Sequence, residues 1–256
     1  MFKAYMDRAA KRGSKDEVMC VACAIFKPVA YGQFVRDWNR ILKAWGAKQF
    51  HAKEFFPGTG EFERDTPERR QLFEDHSRRI PQIISQSIAR IVVISFRPQE
   101  FLAMASPQWK KQIGTSLHSQ AIQACLLING DWLKTDKIDD ESFAYFMESG
   151  DEDEAEVLRA VQGMRAHEST SRHIRVSSFT SVDKGQAREL EVADYVAWQW
   201  NKYYIESDSW TDRSRWPRKD FLSLIDGAAR NKCKLLFLSG DDLKYFFDLF
   251  DYMLKG

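Results

Sequence analysis

With 256 residues, 44% of them hydrophobic and 13% aromatic, the chain carries enough apolar material for a full core, which excludes a disordered or tail-like polymer. Its 38 Lys and Arg against 37 Asp and Glu leave a formal net charge of +1, so no bulk positive charge announces a nucleic-acid partner. Residues 1–13 carry Lys3, Asp7, Arg8, Lys11 and Arg12 without a long apolar stretch, and the apolar run at 18–26 is too short to span a bilayer. The expectation is a cytoplasmic protein with no membrane span.

In chain order, residues 2–7 (FKAYMD) read as a short strand and 18–26 as a longer buried one, joined by a polar segment with Gly13 and Ser14 as turn formers. The pair predicts an antiparallel opening. Phe34, Trp38, Ile41, Leu42 and Trp45 recur at helical spacing, with Gly46 as the stop. Residues 48–56 are short and aromatic, and Pro57, Gly58 and Gly60 make a loop. Thr66 then caps a helix whose first position is Pro67, where a missing N–H costs nothing.

Residues 90–96 have the continuous apolar character of a central strand, ended by Pro98. A helix over 109–133, a strand over 143–148, a helix over 152–167, a strand over 174–179 and an aromatic helix over 188–205 follow. Apolar residues between Leu243 and Leu254 outline a last helical face that reads as core packing. Alternating helices and strands imply parallel pairing with crossover helices after the antiparallel start. No repeat or linker divides the chain, so residues 1–256 read as a single α/β domain with helical insertions.

The Cys20/Cys23 pair falls on a strand, where positions three apart face opposite sides, so packing is expected rather than zinc or redox chemistry. His76 aligns with Leu72 and Ile80 as a core-edge residue. Asp194 is the most informative position, because the helix around it (VADYVAW) is apolar almost all round and a carboxylate there requires a partner. Glu191 lies one turn earlier. The two form either a cation site or a surface-facing pair. Asp7 and Glu148 close strands, where side chains converge on a crevice, although either alone also suits a solvated turn. His51 and Glu54 form an HxxE set, a source of a proton-transfer group or a further ligand. The stretch from Arg213 to Lys219, interleaved with Trp210 and Trp216, is either a phosphate-contacting, base-stacking loop or an ordinary solvated one.

The segments KAYMD, FHAKEF, FMESGD and SVDKGQARELEVADYVAW, in this order, resemble the prokaryotic domain-of-unknown-function family 3800, whose members look like relatives of the ribonuclease H fold. The resemblance implies a ribonuclease H-like mixed sheet, antiparallel opening strands then parallel strands, flanked by helices. It also implies two Mg²⁺ or Mn²⁺ ions about 4 Å apart clamping a phosphodiester. Asp7, Glu148 and Asp194 would be the principal ligands, with Glu191 or Asp151 completing the shell and His51 moving a proton. Lys184 would meet a phosphate and Glu54 would lie along the substrate; apart from the resemblance, the basic loop adds Arg213 and Arg215 as candidate substrate contacts. The chain departs from the family pattern in having Arg8 and Ala9 after Asp7, where an acid is usual, and Glu191 where Gln is usual. The implied activity is a metal-dependent nuclease or phosphodiesterase. The alternative is a non-catalytic module on the same fold that binds nucleic acid or protein.

Overall fold

A computed structural model describes residues 1–10, 18–104, 116–151, 153–207, 221, 224–225 and 232–239. Strands β1 (Phe2–Ala10), β2 (Met19–Phe26), β3 (Ile88–Phe96), β4 (Phe143–Glu148), β5 (Val176–Val182) and β6 (Cys233–Leu238) form one sheet in the order β5-β4-β1-β2-β3-β6. The pairs β1–β2 and β2–β3 are antiparallel, whereas β4 joins β1, β5 joins β4 and β6 joins β3 in parallel. This is the expected mixed α/β sheet, with antiparallel opening strands followed by parallel ones and helices alongside.

Helices cover both faces, as parallel strands reached by crossovers require. Against one face lie α1 (Tyr31–Trp45), α2 (Ala52–Phe55), α3 (Pro67–Ser87) and α8 (Arg188–Ser207), burying Tyr5, Cys20, Ala22, Ile91 and Val93 with Trp38, Trp45 and Tyr195. The other face carries α5 (Leu117–Thr135), α6 (Glu154–Ala166) and α7 (Glu168–Ile174) over Ala4, Met6, Val21, Cys23, Val92 and Tyr145. Helix α4 (Pro98–Met104) follows β3, and its Phe101 stacks on Phe96. Because the pleat alternates, Cys20 and Cys23 belong to opposite cores as free thiols, and burial raises the pKa of both.

Local chemistry accounts for the boundaries. Thr66 accepts a hydrogen bond from the Arg69 N–H at the start of α3, and Gly46 ends α1 with φ of 70°, a left-handed conformation that glycine adopts without a Cβ penalty. Three strands differ from expectation. β1 runs on to Ala10, still paired with β2, so Asp7 lies inside the strand and does not close it; only the pairing with β4 stops at Met6. β5 begins at Val176 because Ile174 ends α7 and Arg175, at φ of 48°, reverses the backbone before the strand. β6 was not expected at all. Its short CKLLFL run shows little periodicity, and only pairing with β3 makes it a strand. The helix read over 109–133 is described from Leu117, after its Ser116 cap, and the apolar face at 243–254 lies outside the described residues.

Two glycines in helices test this packing in opposite senses. A Cβ on Gly130 of α5 would stand 2.3 Å from the backbone carbonyl oxygen of His173, so α5 and α7 approach this closely only over a glycine. Gly163, exposed on α6, would meet nothing within 4 Å. Gly130→Ala is expected to lower unfolding stability by about 1–3 kcal/mol through overpacking. Gly163→Ala is expected to raise it by about 0.5–1 kcal/mol through helix propensity. Urea midpoints of the two variants check both signs.

Candidate functional site

The site starts from strand geometry. β1 and β4 run parallel with Met6 beside Met147, so one residue further on Asp7 and Glu148 end up on neighbouring strands. Both side chains leave the sheet on the side covered by α8, since Tyr5 and Phe146, two residues before each, pack in that core. Helix α8 lies across this face and delivers Asp194 from its second turn. A single-turn 3-10 helix (Lys184–Gln186) between β5 and α8 brings in Lys184, while Asp183 caps that turn by accepting from the Gly185 N–H.

Lys184 Nζ donates to Asp7 Oδ2 at 2.7 Å and to Glu148 Oε2 at 3.3 Å, and lies 3.5 Å from Asp194 Oδ2. Three acids separated by up to 187 positions (194 − 7) thus converge on one cation. Asp7 and Lys184 are buried, at 7% and 6% exposure, and Glu148 opens the cluster to solvent with a side chain 35% exposed. The other oxygen of Asp7 accepts from the Arg8 backbone N–H at 2.7 Å. Asp194 Oδ2 also accepts from the Ala52 N–H at 3.0 Å, which ties the FHAKEF segment to the cluster.

One ammonium does not balance three carboxylates. Burial pushes the Asp7 carboxyl up to about 8, and the charges of Asp194 and Glu148 add to that, while Lys184 pulls the other way. Burial by itself would lower Lys184, but attraction to Asp7, Asp194 and Glu148 outweighs it and holds the ammonium above its ordinary value.

On the opposite face of the sheet, one residue along β1, Arg8 organises a second group. Its Nη2 lies 2.8 Å from Asp151 Oδ1 and its Nη1 lies 3.4 Å from Asp153 Oδ1. His118, from the first turn of α5, places Nδ1 3.1 Å from Asp153 Oδ1 and 3.7 Å from Asp151 Oδ2. Ser116 donates its hydroxyl to Asp153 Oδ2 at 2.6 Å. Hydrogen bonding with His118, and then with Ser116, holds the Asp153 carboxyl below the usual range, whereas burial raises that of Asp151. Ligand atoms of His118, Asp151 and Asp153 lie within 4.8 Å of one another, an arrangement compatible with a metal site.

The expected residues therefore separate. Asp7, Glu148 and Asp194 share one pocket, and Lys184, expected at a phosphate, is the cation inside it. Asp151 belongs with Arg8 and His118. Glu191, expected in the ion shell, is fully buried elsewhere, with Oε2 accepting from Trp38 Nε1 at 2.6 Å and Oε1 from Arg188 Nη1 at 2.7 Å. A rotation of roughly 60° between positions three apart on a helix suffices to send it away from Asp194. His51 stands at the N-cap of α2, one residue before the Ala52 N–H that Asp194 holds, and Glu54 folds against the Gly60 turn. Arg213 and Arg215 lie outside the described residues. His118 and Asp153 were not singled out from the sequence. The signal available was Arg8 itself, a cation that follows Asp7 on the same strand and so faces the opposite side, where it calls for acids from elsewhere in the chain.

Asp7 gives the cluster a pH signature. Burial holds the Asp7 carboxyl up to about 8 in the folded protein, against the ordinary 3.8 that applies in the unfolded chain. Across that window the folded state binds more protons, so the group's contribution to stability falls as pH rises. Without divalent ions, Asp7→Asn is expected to gain on the parent between pH 4 and pH 8, by an amount on the order of a few kcal/mol. Urea unfolding at several pH values reads it, and a difference that stays flat across the window contradicts it. No protein-family model matches the chain and no curated protein is significantly similar to it, so the chemistry rests on these residues themselves.

Proposed function

We propose that the protein is a metal-dependent nuclease or phosphodiesterase whose Asp7, Glu148 and Asp194 hold Mg²⁺ or Mn²⁺. The observation that carries this reading is the convergence of three carboxylates, from β1, β4 and α8, on a single cation position. The donor set fits the ion. All three groups offer hard oxygen ligands, as Mg²⁺ and Mn²⁺ prefer, and three acids against one ammonium leave negative charge uncompensated.

A bound divalent ion supplies Lewis acidity and a water acidified enough to attack at neutral pH. The protein's own groups do the rest. Asp7, held by the Arg8 N–H, and Asp194, held by the Ala52 N–H, turn their carboxylates toward one cation position, and the oxygens close in from their 2.7–3.5 Å spacing around the ammonium when an ion replaces it. Glu148, the most exposed of the three, faces the side from which a substrate arrives. His51, partly exposed beside Ala52, is the proton-transfer group of this reading. The resemblance to domain-of-unknown-function family 3800 supports the same assignment and is the reason for choosing a phosphodiester of nucleic acid as substrate.

The parent chain is expected to cleave DNA or RNA in Mn²⁺ or Mg²⁺ and to be inactive in chelator. Asp7→Asn and Asp194→Asn should each lower the rate by about 100-fold or more, since even outer partners of metal ligands are worth 10–100-fold. A parent inactive on single- and double-stranded DNA and RNA with either ion, or variants that cut at the parent's rate, removes the reading.

One observation favours a second reading, a non-catalytic binding module. Arg8 stands where the family pattern places an acid, and it ties up Asp151 and Asp153. In that case salt-sensitive nucleic-acid binding persists in Asp7→Asn and Asp194→Asn, without ion-dependent cleavage.

A further inference from the structure

Lys184 has no role in the reading above beyond its place in the pocket, yet its placement is specific. Its ammonium contacts acids from three separate elements, at 2.7, 3.3 and 3.5 Å. A lysine held this way keeps its proton and lacks the free lone pair that attack on a carbonyl or phosphorus requires, which rules out a nucleophilic or Schiff-base role. It also reaches no phosphate in this position, being 6% exposed with its charge spent on the three acids.

The oxygens it engages are those a cation in this pocket needs. Asp7 turns Oδ1 to the Arg8 N–H and Oδ2 inward, and Oδ2 is the atom that Lys184 holds. Asp194 turns the same oxygen, Oδ2, to both Ala52 and Lys184, and Glu148 presents Oε2 to Lys184. An ion coordinated by these atoms at about 2.1 Å would share the ammonium's place, and two positive charges cannot both occupy it. The path out is short. Lys184 belongs to a one-turn segment whose neighbours Asp183, Gly185 and Gln186 are exposed, and its four-carbon stem reaches inward from that surface turn. That stem is flexible, with rotatable bonds through which the ammonium can swing toward the solvent-facing side of the turn.

We infer that Lys184 is the resident counter-ion of the acid cluster, and that a divalent ion enters by displacing its ammonium into solvent. This rests on the ion-binding reading of Asp7, Glu148 and Asp194, and adds what sets the affinity. In the ion-free protein Lys184 neutralises part of the buried charge and competes with the ion, so the apparent affinity is weakened by the population in which the lysine is in place. A released ammonium stands at the mouth of the pocket, where an anionic substrate would meet it.

Two measurements on the full chain test this with Mn²⁺ alone and no substrate. The first titrates Mn²⁺ calorimetrically into the parent and into Lys184→Met, which keeps the stem and removes the charge. Lys184→Met is expected to bind at least about tenfold more tightly. The second acetylates the parent with an amine-directed reagent, with and without saturating Mn²⁺, and follows Lys184 by peptide mass spectrometry. Its modification rate is expected to rise several-fold with the ion, while other lysines hold their rates. Because that measurement uses the parent, it decides the question even if Lys184→Met does not fold. Equal or weaker Mn²⁺ binding by a folded Lys184→Met overturns the inference, and so does an unchanged Lys184 rate in ion-saturated parent. Both outcomes leave the ion site standing. Failure of both proteins to bind Mn²⁺ removes the ion site, and the inference with it.

Discussion

The ammonium of Lys184 against the carboxylates of Asp7, Glu148 and Asp194 is the interaction around which this end of the molecule is arranged. Two of the acids are brought together by parallel pairing of β1 with β4, a distance the backbone imposes whatever the charges prefer. Repulsion between them is therefore a standing cost of the sheet. The third acid and the lysine come from the turn and helix that follow β5, so a cation reaches the pocket on the same connection that adds another negative charge. What results is a buried, under-neutralised cluster where the β1–β4 pairing ends, a setting in which perturbed carboxylates and functional sites coincide.

The pleat divides the chemistry in two. Asp7 and Arg8 are neighbours in sequence but leave the sheet on opposite sides, Asp7 toward α8 and Arg8 toward α5. One side gathers acids around a lysine, and the other gathers Asp151 and Asp153 around an arginine and His118. An acid at position 8 would add negative charge beside Asp151 and Asp153. Arg8 instead converts that side into a charge-paired clamp that joins the β1 end, the loop after β4 and the start of α5.

Around the cluster, hydrogen bonds that take no part in chemistry hold its geometry. Glu191, one turn from Asp194, accepts from Trp38 and Arg188 and so links α8 to α1, while Asp194 itself holds the first turn of α2. Buried charges satisfied in this way are costly to disturb, because removing one partner leaves the other desolvated and unpaired. The aromatic segment at 48–56 packs Phe50 and Phe55 against Trp38, Trp45 and Phe62, and its backbone meets the α8 groups through the Ala52 N–H on Asp194 and the Lys48 carbonyl on Arg188.

Most of the secondary structure was legible along the chain because periodicity, caps and breakers act over a few residues. Thr66, Gly46 and the apolar runs of β2, β3 and β4 signal their elements locally. So does the alternation that sends Cys20 and Cys23 to opposite cores. The acids Asp7, Glu148 and Asp194 were also visible, Glu148 as a strand end, Asp7 as an acid on the first strand, though not its last residue, and Asp194 as a carboxylate in an apolar helix that had to find a partner. Only the folded chain decided what that partner is, that Glu191 turns to Trp38 and that Arg8 recruits Asp151, Asp153 and His118. It also made a strand of residues 233–238. Those outcomes depend on which atoms meet across long loops and on the hand of a 60° rotation around α8, and a linear pattern encodes neither quantity.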